Sequence, residues 1–371
     1  MSGKTPIFII GATGYIGGTV LSRLLAHHNA HTFDITALVR SPEKAKILKE
    51  RFGVHSAVGS FEDTALLEQL SANAHVVLSM ADSDDVAAMQ AILQGLKKRH
   101  ESTGDVPVLI HTSGTGQLID GQETKGMAAT DLIYDDTNFD QMASIKPTAF
   151  HRDVDLLTFA ADAEGYCRTY VVLPSTIYGT AHNALVAAGV QNPRSIQIPM
   201  LAKASLHRGR AGMVGAGLSR WPNVHIDDVA DLYIILLDAI ASKGADAVDH
   251  GARGCYFAEN GEHAAYEISR AIGEAMVALG RASDPEPTPF TDDELKHYFG
   301  SVEMGHYWGT NSRCRAAHAR TLGWAPRYAT RDMIASVSGE VEAIVEARSY
   351  ETFKAQFSKP ILARFNIPGD A

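Results

Sequence analysis

The sequence predicts an α/β protein, a doubly wound parallel sheet with a smaller, mostly helical C-terminal lobe. Three observations predict it. The apolar run Lys4 to Ile10 passes at once through Gly11-Ala12-Thr13-Gly14-Tyr15-Ile16-Gly17-Gly18 into an amphipathic stretch, Thr19 to Leu25. That is how a βαβ unit opens. Strand-like and helix-like segments then alternate as far as Thr112, and beyond Thr180 the alternation gives way to helical stretches. The expected division is residues 1–180 for a nucleotide-binding domain and 181–371 for a lobe interleaved with the last strands of the sheet.

The first turn explains its own residue types. Gly11 permits a tight turn, Gly14 lets backbone approach a pyrophosphate, and Gly17 lets the helix pack close to the strand. Unpaired N–H groups and a partial positive charge at the helix N-terminus then favour phosphate.

The later elements follow in order. Asp34 to Val39 is the second strand, ending at Arg40-Ser41-Pro42. Ser41 suits an N-cap, with Pro42 at the first helical position of a helix to Phe52. Val54 to Val58 is a third strand, followed by Gly59-Ser60-Phe61 and a helix from Glu62 to Leu70. His75 to Met80 is a fourth strand, leading through Ala81 to a long helix from Asp84 to Arg99. Val106 to Thr112 is a fifth strand, ending in Ser113-Gly114-Thr115-Gly116. Parallel neighbours require crossover connections, which these helices supply. Ligands of such sheets lie beyond the carboxyl ends of the strands. The residues just past Ile10, Val39, Val58, Met80 and Thr112 are therefore the expected cofactor shell.

Gln117 to Ile145 is a polar, acidic connection carrying Asp131, Asp135, Asp136 and Asp140. Its length suits either a functional lid or a solvated surface insertion. A helix from Thr148 to Ala163, the strand Arg168 to Leu173 and the turn Pro174 to Gly179 come next. Helical stretches are expected at 195–207, 226–241, 261–279, 291–298, 313–322 and 331–346, with a short strand Cys255-Tyr256-Phe257.

Composition narrows the function classes. The chain has 371 residues, 45% hydrophobic and 20% charged, which is ordinary globular composition. A formal net charge of −10 argues against a nucleic-acid surface. The one basic run, Lys97-Lys98-Arg99-His100, falls at a predicted helix end, where cations meet the helix dipole favourably. Cys167, Cys255 and Cys314 form no CxxC pair, and the histidines form no HExxH or HxH cluster, so neither a disulfide framework nor a metal site is expected. The N-terminus lacks the regions of a signal peptide, and Leu232 to Ala241 is too short to span a bilayer. A cytoplasmic protein with no membrane partner is the expectation.

These segments resemble an extended short-chain dehydrogenase/reductase of the NAD-dependent epimerase/dehydratase-like branch, a Rossmann fold. The resemblance is carried by Gly11 to Gly18, His111-Thr112-Ser113-Gly114, Val172 to Gly179, Val224-His225-Ile226-Asp227-Asp228-Val229-Ala230 and Leu322-Gly323-Trp324-Ala325-Pro326. It implies a nicotinamide dinucleotide held by Gly11, Thr13, Gly14, Tyr15, Ile16, Gly17, Arg40, Ser60, Phe61, Met80, Ala81, Thr112, Ser113, His151 and Pro174. It also implies a small-molecule substrate and, as many relatives are dimers, a homodimer. A carboxylate after the second strand would repel a 2′-phosphate, whereas the Arg40 fork attracts one, so NADP(H) is the expected cofactor.

The family's Tyr-x-x-x-Lys pair is missing between Ser113 and Arg168. Aligning Asp155 with the family's later acidic residue puts His151 at the lysine position and Pro147 at the tyrosine position. The serine position falls near Gly114, between Ser113 and Thr115. His151, Ser113, Thr115 and Tyr178 are therefore the catalytic candidates, and Tyr134 a more distant one. His151 suits acid–base work near neutral pH, or it simply pairs with Asp155 at i,i+4 spacing, and Tyr178 is alternatively a core residue. Three readings follow: an NADP(H)-dependent oxidoreductase or epimerase/dehydratase-type enzyme with an atypical site, an inactive NADP(H)-binding sensor, or a non-redox isomerase or lyase.

Overall fold

The computed structural model describes residues 3–347. Its first half is the predicted alternation: β1 (Thr5–Ile10), α1 (Tyr15–Leu25), β2 (Phe33–Val39), α2 (Pro42–Phe52), β3 (His55–Val58), α3 (Thr64–Ala72), β4 (Val76–Ser79), α4 (Val86–Thr103) and β5 (Val108–Thr112). Ser41 caps α2 by accepting from the Lys44 amide at 3.2 Å, with Pro42 opening the helix. The basic run lies inside α4 and is paired: Lys97 with Glu164 at 2.9 Å, Lys98 with Glu68, and Arg99 with Asp105 at 2.8 Å.

The second half contains β6 (Tyr134–Asp135), α5 (Phe139–Ala143), α6 (Arg152–Ala163), β7 (Arg168–Pro174), β8 (Thr176–Tyr178), α7 (Ala184–Ala187), α8 (Gln197–Arg208), β9 (Gly212–Met213) and β10 (Arg220–His225). These are followed by α9 (Ile226–Lys243), β11 (Cys255–Ala258), β12 (Glu262–Ala264), α10 (Ala265–Ala278), β13 (Thr288–Pro289), α11 (Asp292–Phe299), α12 (Val302–Tyr307), β14 (Cys314–Arg315), α13 (His318–Thr321) and α14 (Thr330–Ala347).

The main sheet is parallel throughout, in the order β11-β7-β5-β4-β1-β2-β3. Chain order reverses between β1 and β4, which opens a crevice at their carboxyl ends. Both faces of β1 are covered. Ile7 and Ile9 belong to the core shared with α1 and α9, while Phe8 and Ile10 belong to the core shared with α3 and α4. Burial on both sides explains why this strand is apolar throughout instead of alternating. A further core joins α8, α10, α11 and α14 with Tyr178.

Three local expectations are corrected. The helix expected from Thr148 begins at Arg152, because residues 146–152 close turns of their own, Ala149 N to Lys146 O at 2.9 Å and Arg152 N to Ala149 O at 3.2 Å. Residues 262–264, expected helical, pair antiparallel with β10. Residues 314–315, also expected helical, pair with β6. In both cases an available strand edge outweighs local propensity. The acidic connection is also stitched to the C-terminal half. The Asp136 carboxylate, fully buried, accepts from the amides of Phe257, Ala317 and His318 at 2.8–2.9 Å.

Candidate functional site

The glycine turn is built for close approach. Gly11 has φ +87°, and a Cβ there would lie 2.4 Å from the Met80 carbonyl oxygen. A Cβ on Gly17 would lie 2.2 Å from the Gly11 carbonyl oxygen, so only hydrogen fits at either position. Gly14 is the N-cap of α1 and offers no side chain to the first-turn amides. Those amides are left to an outside acceptor, an arrangement that fits a phosphate.

The loop is anchored from behind. The Thr13 carbonyl accepts from Asn192 N at 3.0 Å, Gln191 Nε2 donates to Tyr15 O at 3.2 Å, and the Tyr15 hydroxyl donates to the Gly179 carbonyl. Ile16 packs on the core. Arg40 stands exposed just past β2, without an ion pair among the described residues. Ser60 Oγ accepts from Glu62 N, Phe61 packs beside α3, Met80 is buried and Ala81 exposed. Thr112 Oγ1 is bonded to the Tyr233 hydroxyl at 2.5 Å, and Pro174 is buried at the end of β7 beside Ala258.

Beyond β4 and β5 a second cluster forms. His151 is the N-cap of α6 with φ +63°, rare for a residue bearing a Cβ. Asp84 holds it there: one carboxylate oxygen accepts the His151 amide at 3.2 Å and the other lies 3.0 Å from Nδ1. Ser83 Oγ is also 2.9 Å from Nδ1. The ring partner is thus Asp84 and not Asp155, whose amide bonds the His151 carbonyl. An Nδ1–H directed at a carboxylate leaves the Nε2 lone pair free. Nε2 faces the loop after β5, 3.2 Å from where a Cβ of Gly114 would stand.

Behind that loop lies a closed polar network. Ser113 Oγ donates to Asp155 Oδ2 at 2.9 Å, and Gln117 Nε2 donates to the same oxygen at 2.9 Å. His111 Nε2 lies 3.7 Å from Asp155 Oδ1. Burial pushes the Asp155 carboxyl up to about 6 and the His111 imidazole down to about 3. The Thr115 carbonyl accepts from Ser312 Oγ at 2.7 Å, while its own buried hydroxyl has no partner among the described residues.

The structure therefore brings His151, Ser113 and Thr115 to the ends of β4 and β5. Tyr178 is elsewhere: it is 1% exposed and donates to the Ala329 carbonyl at 2.9 Å. Pro147 precedes the helix altogether, and Tyr134 pairs with β14. Ser83, Asp84 and Tyr307 were not read from the sequence. The first two follow β4, where the strand-end rule already pointed. Tyr307 carries no local signal.

Tyr307 joins this cluster to a small cavity of about 40 Å³ in the C-terminal lobe. Its walls include Ile198, Leu201, Ile268, Trp221 and Trp308. Tyr307 packs against Trp221 and edge-on to Phe150, each at 5.5 Å between ring centroids. A Cβ on Gly116 would stand 3.2 Å from the Tyr307 hydroxyl and 3.3 Å from His151 Nε2. Among the described residues, no helix is long and apolar enough to cross a membrane, and no three His, Cys, Asp or Glu side chains are grouped to hold a metal ion.

A parallel sheet with this switch point and an uncapped glycine turn defines a Rossmann-type, nucleotide-binding architecture. Residues 3–99 match the NmrA-like family. The chain is 30% identical over 333 residues to the protein called Oxidase ucsJ of Acremonium sp, covering 86% of this chain and 92% of that one. It resembles the structure of UDP-glucose 4-epimerase from Thermotoga maritima, at TM-score 0.60 and 14% identity, over 93% of this chain and all of that one. It likewise resembles dTDP-glucose 4,6-dehydratase from Bacillus anthracis, at TM-score 0.59 and 15% identity, over 93% and 98%. The chain belongs to one family with the Acremonium protein and shares the fold of these epimerase and dehydratase structures.

Proposed function

We propose that the chain is an NADP(H)-dependent oxidoreductase, or an epimerase/dehydratase-type enzyme, acting on a small organic carbonyl or alcohol through an atypical site. The observation that carries this is the placement of the Asp84–His151 pair beyond β4 and β5, beside the switch-point crevice that the glycine turn also borders. The relative named as an oxidase, and structural neighbours described with bound NAD, support the same class.

In this reading Gly11, Gly14 and Gly17 clear room for the pyrophosphate, the first-turn amides of α1 hold it, and Arg40 meets a 2′-phosphate. When bound, the nicotinamide supplies or removes hydride. His151 exchanges the accompanying proton at Nε2, with Asp84 fixing the tautomer and supporting the imidazolium. Ser113 acts indirectly, since its hydroxyl is committed to Asp155.

The test is calorimetric titration with NADP(H) and NAD(H), followed by absorbance at 340 nm with a panel of carbonyls. Binding with turnover is the expected outcome. Binding with no turnover on any carbonyl favours the sensor reading, which the missing Tyr-x-x-x-Lys pair motivates. Product formed without net cofactor turnover favours the isomerase or lyase reading.

A further inference from the structure

We propose that Tyr307, carried by the C-terminal lobe, donates a hydrogen bond to the substrate oxygen opposite His151, and that its cavity takes an uncharged, largely apolar carbonyl or alcohol. This inference rests on the nicotinamide-dependent reading given above.

The geometry converges on Gly116. The Tyr307 hydroxyl and His151 Nε2 lie 3.2 and 3.3 Å from the single position a side chain there would take. With glycine there no side chain stands between the two groups, so an oxygen seated at that position has a phenol on one side and an imidazole on the other. Such a point, near both a donor and a base, is what a reacting oxygen needs. The Tyr307 hydroxyl has no hydrogen-bond partner among the described residues, although its ring is held by Trp221 and Phe150. Burial, with a contribution from the Asp84 carboxylate, holds its phenol well above the usual tyrosine range. A phenol so placed stays protonated and acts as a donor to the oxygen, leaving proton transfer to His151.

The proton balance is simple in the reducing direction. The carbonyl carbon gains a hydride from the nicotinamide dinucleotide, and the C=O π pair becomes a lone pair on oxygen. That oxygen takes the proton from Nε2–H of the His151 imidazolium, and the N–H pair stays on Nε2. The Nδ1 proton stays on the ring, donated as a hydrogen bond to Asp84 throughout, and Tyr307 transfers nothing.

The cavity sets the substrate class. Its lining contains no lysine or arginine. His263, the one basic side chain in the wall, is pushed down to about 3 by burial and is neutral at pH 7. A diphosphate brought there would be an uncompensated charge. Trp308 instead offers a buried indole N–H without a partner among the described residues, and the other polar side chains of the wall, Thr176, Gln197 and Tyr307, are uncharged too. The wall therefore suits an uncharged ring or chain and opposes a nucleoside diphosphate sugar.

Calorimetry with NADP(H) and NAD(H) comes first, because a protein that binds neither refutes the dinucleotide reading itself, whatever Tyr307 does. Phenanthrenequinone and UDP-glucose are then titrated into the NADP⁺-loaded protein while tryptophan emission is followed. Saturable quenching by the quinone alone is expected, since Trp221 and Trp308 line the cavity. Quenching by UDP-glucose, or by neither probe, overturns the substrate class. The infrared carbonyl stretch of the bound quinone should be lowered in the unmodified protein and return towards its free value in Tyr307→Phe. Tyr307→Phe should retain dinucleotide affinity and weaken the quinone by no more than about tenfold, the worth of one neutral hydrogen bond, while NADPH-driven quinone reduction falls about 100-fold, the usual cost of losing one such donor. Gly116→Ala approaches the same point from the other side and should abolish quinone quenching while keeping dinucleotide binding. An unshifted carbonyl in the unmodified protein, or undiminished turnover in Tyr307→Phe, overturns the role of Tyr307.

Discussion

Asp155 should make the protein less stable above pH 6 than an uncharged side chain would. The carboxyl is completely buried, accepts from Ser113 and Gln117 on one oxygen, and leaves the other facing His111 without a hydrogen bond among the described residues. Burial raises it from an ordinary 3.8 to about 6. A folded-state value above the unfolded one means that the native state binds the proton more tightly. The stabilisation is therefore full below pH 4 and is lost as pH rises through 6. At 1.36 kcal/mol per unit the loss is roughly 3 kcal/mol. Asp155→Asn keeps an acceptor for Ser113 and Gln117 and turns an amide towards His111, which burial keeps neutral and able to accept. Urea denaturation of both proteins from pH 4 to pH 8 measures the effect. The variant should gain on the wild type by about 3 kcal/mol across pH 4 to 6, then hold that difference. His263, lowered to about 3, acts in the opposite sense as pH falls below 6.5, but it occurs in both proteins and cancels from the difference. Parallel stability curves would refute the reasoning.

The remaining expectations concern the dinucleotide and the histidine. Arg40→Ala should weaken NADP(H) by roughly tenfold or more, the worth of a charge-assisted hydrogen bond, and leave NAD(H) nearly unchanged; equal calorimetric affinities for the two in the unmodified protein would count against it. Gly14→Val should fold, since the residue's φ of −79° suits any side chain, yet lose dinucleotide binding, because the side chain would occupy space the pyrophosphate needs. Gly17→Ala, with its Cβ at 2.2 Å from backbone, should instead lower stability by about 1–3 kcal/mol in urea titrations. His151→Ala should cut turnover at least about 100-fold, and an unaltered rate would remove His151 from the chemistry.

What was legible in the sequence was written within short stretches of chain. The strand, glycine turn and helix at residues 5–25, and the Ser41-Pro42 cap, each depend on neighbours a few residues away. The parallel sheet followed from repetition of that unit. What was not legible depends on partners brought together by folding. The αL conformation of His151 exists because Asp84, 67 residues earlier, binds both its amide and its ring. Aligning Asp155 with the helix of the resembled family therefore placed His151 inside a helix that it only caps. Residues 262–264 and 314–315 became strands because β10 and β6 presented edges that no local pattern announces. Tyr307 has a third origin: it enters from a lobe that the glycine turn says nothing about.

These particulars share one cause. In this chain the Ser113 hydroxyl beyond β5 is not free, since Ser113 and Gln117 both donate to a carboxylate sealed behind the loop. The loop then presents Gly114 and Gly116 to the crevice, and both glycines face the His151 ring. A serine or threonine at either place would push on the Nε2 edge, and one at residue 116 on the Tyr307 hydroxyl as well. With glycine at both places, the His151 ring, held by Asp84 beyond β4, and the Tyr307 hydroxyl of the C-terminal lobe approach the loop after β5 with no side chain between them.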